Sequence, residues 1–173
     1  NSPQRGSETR IMETVFDNLG VDNLYNMENP SSRLEGGDFI PAGDRAFIGY
    51  GFLTNREAID ELLQDKKIGF NEVVVVEDNV GSQDEMHLDT YFNVITKDKV
   101  ALLETRMDEN KRDNGLPTAH VYEMNEDGFY KKKVSKPFGE YLKDAGYKIM
   151  SITEEEQRAY GINFLTLESD KVL

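Results

Sequence analysis

The strongest constraint on this chain is that it resembles itself. Three segments, 38–48, 92–102 and 164–173, share one pattern: an apolar strand, a polar turn ending in Asp-Arg or Asp-Lys, and a second apolar strand. The turn aspartates are Asp44, Asp98 and Asp170. Turn residues between β-formers predict a hairpin in each. The stretches downstream of the first two hairpins repeat as well. After the first, Thr54-Asn55-Arg56-Glu57 has the form of a capping box with Thr54 at the cap. Ala58, Ile59, Leu62 and Leu63 then share one helical face, and the unbroken run Val73 to Val76 suits a strand covered on both sides. After the second hairpin, Pro137 to Ala145, closed by Gly146, predicts a helix, and Tyr147 to Ile152 a strand.

The repeating unit is therefore hairpin, helix, strand, a ββαβ block of about 50 residues. The second block carries a polar insertion over 107–133, in which Ala119 to Met124 and Gly128 to Tyr130 form the two sides of an extra hairpin. A third block opens at Gly161 and stops after its hairpin. The predicted organisation is a lead-in over 1–33 with a short helix from Glu8 to Leu19, a repeat over 34–80, a second over 86–153, and an incomplete third over 161–173. The fold class is α/β.

Composition narrows the function. The chain has 173 residues, 38% of them hydrophobic, enough for one domain with a core. It contains no apolar run of membrane-spanning length. A net charge of −13 argues against nucleic acid or an anionic membrane as partner, since both are polyanions. Cysteine is absent, which removes disulfides, thiolate zinc sites and a thiol nucleophile from these residues. With only His87 and His120, a multi-histidine metal site is not expected. The first residue is Asn1, with no apolar signal core behind it, and Leu173 falls inside an apolar run; both ends read as cut.

Two strings stand at matching places in the first two blocks: Leu34-Glu35-Gly36-Gly37-Asp38 and Met86-His87-Leu88-Asp89-Thr90. With Phe47-Ile48-Gly49 and Tyr91-Phe92, they resemble the signature strings of arginine deiminases over nearly the whole chain. That family belongs to the pentein superfamily, whose fold is an α/β-propeller of five ββαβ units around a central site. The resemblance implies a partial propeller, two full repeats plus the start of a third, that acts on a small cationic guanidino substrate without cofactor or metal. It also implies a cytoplasmic setting.

A guanidinium is a planar cation with donors in a fixed fork, which carboxylates match bidentately. On the resemblance, Asp89 is the substrate clamp and His87 the general acid/base, read as lying two residues apart on one extended strand and facing the same side. Glu35 partners His87 or touches the guanidinium. Gly36 and Gly37 permit close approach, and Asp38 braces the turn or joins the site. The family's nucleophile is a cysteine late in the fifth repeat, expected beyond Leu173.

One departure concerns substrate. Where the family carries an arginine that grips the substrate's α-carboxylate, this chain has Leu53, and Arg56 is the candidate substitute. Amidino transfer and dimethylarginine hydrolysis remain alternatives within the fold. A non-catalytic binding module is the alternative outside enzymology. Glu85, His87 and Asp89 also alternate as a divalent metal site would, but covalent guanidine hydrolysis needs no metal. His120 is expected on a surface hairpin and Lys131-Lys132-Lys133 in solvent. Half a propeller would expose sheet edges, so association with the rest of its parent chain or with a second copy is expected.

Overall fold

The structure, a computed structural model, describes residues 7–22, 25–64, 68–78, 85–107, 115–168 and 171–172. Parts of three expectations lie outside those residues: the end of the first repeat at Val80, the start of the insertion, and the turn of the third hairpin at Ser169-Asp170.

The lead-in helix α1 spans Glu8–Leu19 and ends at Gly20, whose φ of 67° suits the left-handed cap that glycine adopts without strain. The first block is β1 (Phe39–Ala42), β2 (Arg45–Tyr50), α2 (Arg56–Gln64) and β3 (Glu72–Glu77). β1 and β2 are antiparallel across the two-residue turn Gly43-Asp44, and β3 returns parallel to β2. Val73 to Val76 are fully buried on both faces, as a continuous β-branched run requires. Val73 and Val75 pack with Ile48, Ile59 and Leu62 beneath α2. Val74 and Val76 face the larger core of Phe47, Phe92, Leu102 and Phe138.

The cap of α2 differs from the expectation. Asn55, rather than Thr54, accepts from the Ala58 amide through its side chain at 3.2 Å. Thr54 is committed elsewhere, to Asp38 and Glu35. A capping box does form at Thr153 and Glu156, opening a short helix α4 (Glu154–Arg158) that the periodicity did not reveal.

The second block holds β4 (Phe92–Thr96), β5 (Lys99–Leu103), α3 (Phe138–Asp144) and β8 (Lys148–Ile152), with the same antiparallel hairpin and parallel return. The insertion forms β6 (Thr118–Met124) and β7 (Tyr130–Pro137), so its second strand runs past Lys133 to the start of α3. This hairpin does not stand apart: β6 pairs antiparallel with β3 and extends the first block's sheet to the order β1-β2-β3-β6-β7. Lys131, Lys132 and Lys133 are exposed on the edge strand β7, where Lys133 pairs with Glu123. His120 sits mid-sheet between Glu77 (2.7 Å from Nε2) and Ser135 (2.8 Å from Nδ1). The third hairpin is β9 (Thr166–Glu168) with β10 (Lys171–Val172).

The sheets meet on three rings. Phe92 lies edge-on to Phe47 at 4.8 Å and to Phe138 at 4.9 Å, so both blocks and the helix of the second share one aromatic joint. A polar staple reinforces it: the Tyr141 hydroxyl on α3 donates to Glu72 on β3 at 2.6 Å and accepts from Arg45 on β2 at 3.0 Å.

Candidate active site

The two signature strings fold into equivalent pieces. In each, an extended residue leads into a single 3₁₀ turn that feeds the first strand of a hairpin. Glu35 (φ −101°, ψ 144°) precedes the turn Gly36–Asp38, and His87 (φ −133°, ψ 160°) precedes the turn Leu88–Thr90. Glu35 and His87 therefore occupy the same place in successive blocks. The expectation that His87 and Asp89 alternate on one strand is corrected: Asp89 sits inside the turn. The cause is local, because the Thr90 amide and hydroxyl both donate to the His87 carbonyl, at 3.2 and 2.6 Å, and curl the chain.

Asp38 ties the two turns together. One of its oxygens accepts from the Leu88 amide at 2.8 Å and the other from the Thr54 hydroxyl at 2.6 Å. The Thr54 oxygen in turn accepts from the Glu35 amide at 3.2 Å. Gly49 on β2 makes room for this: a Cβ there would stand 2.2 Å from the Asp38 carboxylate. Of the two roles open to Asp38, the brace is the one its contacts fill, because both oxygens are spent inside the protein. Burial nevertheless holds its carboxyl above the ordinary value, against the pull of Thr54 and Leu88.

Asp89 is placed differently. Its carboxylate lies against the backbone of the first turn, where a Cβ on Gly37 would come within 2.8 Å of both oxygens. Gly37 is therefore the glycine that the close approach requires; a Cβ on Gly36 would meet open space. Gly36, Gly37 and Asp89 line one cavity of about 730 Å³, walled by β1, β4 and the start of β9. Oδ1 of Asp89 is buried without a hydrogen-bond partner among the described residues, and so is Nε2 of His87. Burial pushes the Asp89 carboxyl up, opposed by His87 and supported by Asp38. His87 is not among the residues lining that cavity; with Asp38, Tyr50, Asp78 and Glu85 it lines a separate void of about 10 Å³. Buried polar atoms are paired almost without exception. The Asp89 carboxylate at the cavity wall suits a ligand that donates to it.

The profile of the arginine deiminase family ("Arginine deiminase") matches residues 1–173. The chain belongs to the arginine deiminase family. The arginine deiminase of Halobacterium salinarum (strain ATCC 29341 / DSM 671 / R1) is 27% identical over 187 residues, which cover 81% of this chain and 37% of that protein. Among solved structures, dimethylarginine dimethylaminohydrolase in an adduct with 4-chloro-2-hydroxymethylpyridine overlays 98% of this chain on 52% of its own, with a TM-score of 0.62 at 18% identity. The likeness establishes the α/β fold with mixed sheets. The chain spans about a third of the curated relative and about half of the solved one.

One expectation for this arginine deiminase family chain changes. Arg56 is exposed, and its guanidinium is bound by Asp60 on the same helix at 2.5 and 2.8 Å; it is not among the residues lining the Asp89 cavity. Its place one turn before Asp60 on α2 makes that pairing the nearest one available. Glu85, which alternates with His87 and Asp89, is held by Arg106 at 2.6 Å. Among the described residues no cluster of three His, Asp or Glu side chains could hold a metal. Sequence reading missed Thr54 as part of the site, because its spacing to Glu57 mimicked a cap. It also missed Arg106, which carries no motif.

Proposed function

We propose that the protein containing this chain hydrolyses a guanidino group by the route of its family, releasing ammonia. The observation that carries this is the Asp89 carboxylate at a cavity wall, seated on Gly37, with one buried oxygen that has no partner among the described residues; two positions along the chain, Nε2 of His87 is likewise buried without one. Asp89 clamps the guanidinium through charge-assisted bonds. Glu35, at the same place in the preceding block, adds negative charge beside the imidazole or contacts the cation. Residues 1–173 contain no cysteine, so the family's thiolate comes from outside them. It attacks the guanidinium carbon, and the C–N bond breaks as His87 gives its proton to the departing ammonia. Water then adds to the same carbon and loses a proton to His87, expelling the thiolate and leaving a ureido product.

The same reading makes these blocks two complete units and the start of a third in a five-unit α/β-propeller. The rest of the protein, or a second copy, would cover the open sheet edges. The family's cytoplasmic setting goes with this reading. No described helix is long and apolar enough to cross a membrane.

The test is ammonia and ureido-product release by the full-length protein over a panel of guanidino compounds, with His87→Ala as control. Turnover that His87→Ala abolishes supports the reading. A folded full-length protein that turns over no guanidino compound overturns it.

A further inference from the structure

Arg106 lies just beyond β5 and is 2% exposed, the largest fully buried side chain described. A buried guanidinium survives only when paired and hydrogen-bonded. Here its Nη2 donates to Glu85 at 2.6 Å and its Cζ lies 4.8 Å from the centre of the Tyr91 ring, while its Nε stands 3.1 Å from Asp78 Oδ2 as an ion pair without hydrogen-bond alignment. These partners frame one segment. Glu85 stands two residues before His87, and Tyr91 two residues after Asp89. The Leu103 amide, at the end of the strand that delivers Arg106, donates to the Tyr91 carbonyl at 2.9 Å. Asp78 closes β3 and is fixed by its amide to the Tyr50 carbonyl at 3.0 Å, so Arg106 ties the segment to the first block as well.

We propose that Arg106 is a positioning residue: it clamps both ends of the 85–91 segment to the sheets, so that Asp89 at the cavity wall and the neighbouring His87 keep one fixed relation. Between those ends the segment is held by the Leu88 side chain, buried in the larger core, and by the Leu88 amide on Asp38. Without Arg106, two carboxylates would be stranded beside the turn, and their repulsion would open it. The claim deepens the guanidino-hydrolase reading and rests on it for the role of His87 and Asp89.

The test uses the full-length protein and hydrogen exchange read by mass spectrometry, comparing a peptide over 85–91 with one over β3, alongside equilibrium binding of L-arginine. With Arg106→Met, exchange over 85–91 should rise at least tenfold while β3 stays within twofold. Arginine binding should weaken at least tenfold. Arg106→Lys, which keeps the charge but loses the fork and the flat face over Tyr91, should recover part of both. Should Arg106→Met not fold, Glu85→Gln removes one partner's charge and should raise 85–91 exchange alone, by a smaller factor.

Equal rises in both peptides mean a general structural role and overturn the proposal. So does an 85–91 segment unchanged in both variants. A wild-type protein that binds no guanidino compound sinks the functional reading instead, while the exchange contrast still decides the role of Arg106.

Discussion

Asp38 and Asp89 sit in equivalent turns of successive blocks, and burial makes both weaker acids than usual, their pKa values raised. They differ in what their oxygens meet. Asp38 spends both on protein donors, from Thr54 and Leu88. Asp89 leans on a glycine and keeps a buried oxygen without a partner among the described residues. The same scaffold thus makes a structural brace in one block and an open acceptor in the next. The pair teaches that repeat position fixes where a carboxylate stands, whereas its neighbours decide whether its oxygens are satisfied within the protein or left open.

The contrast can be broken by mutation. Asp38→Ala strands the Leu88 amide and the Thr54 hydroxyl, each costing about 1–3 kcal/mol when buried and unpaired. We expect a loss of about 3 kcal/mol, a fall in Tm of roughly 10 °C on thermal unfolding, and weaker ligand binding as a consequence of the freed turn. Gly37→Ala drives a methyl into the Asp89 carboxylate. It should cost about 1–2 kcal/mol by overpacking and remove most guanidinium affinity in calorimetric titration. Asp89→Asn should leave stability within about 0.5 kcal/mol, since it removes a charge that gains little in the free protein. It should nevertheless weaken guanidinium binding by on the order of 10- to 100-fold, the worth of a charge-assisted pair. If Asp89→Asn unfolds the protein while Asp38→Ala does not, the assignment of brace and acceptor is reversed.

The smallest effect is on pH. Raised carboxyl values mean that the folded protein keeps protons on Asp38 and Asp89 that the unfolded chain releases near 3.8. The stability these two groups contribute is present below that pH and is lost as pH rises through their folded values. Glu61 has the opposite sign. The Ser32 and Tyr25 hydroxyls lower it to about 2, so its contribution is present above 4.5 and is lost as pH falls towards 2. Ligand affinity should follow Asp89, weakening as acid protonates it at a pH above 3.8, a trend that Asp89→Asn should flatten.

The hairpins, both main helices and the returning strands were legible because period, turn chemistry and β-branched runs are local signals. The curl at Asp89 was not, since it depends on the Thr90 hydroxyl reaching back to the His87 carbonyl. Nor was the docking of the insertion: β6 reads as a strand, but its pairing of Val121 with Val74 joins segments far apart in sequence. Arg106 shows the same limit, because its partners Asp78, Glu85 and Tyr91 converge only in space. The two signature strings could be found in the sequence, and they fold into equivalent turns. The division of labour between the two aspartates needed coordinates.

A crystal structure of the full-length protein with arginine bound is the most direct check. The account predicts the guanidinium at the Asp89 oxygen, at about 3 Å, with the His87 imidazole in reach of the same group and Asp38 still bound to Leu88 and Thr54. A guanidinium held elsewhere, with Asp89 turned to a protein partner, would contradict it.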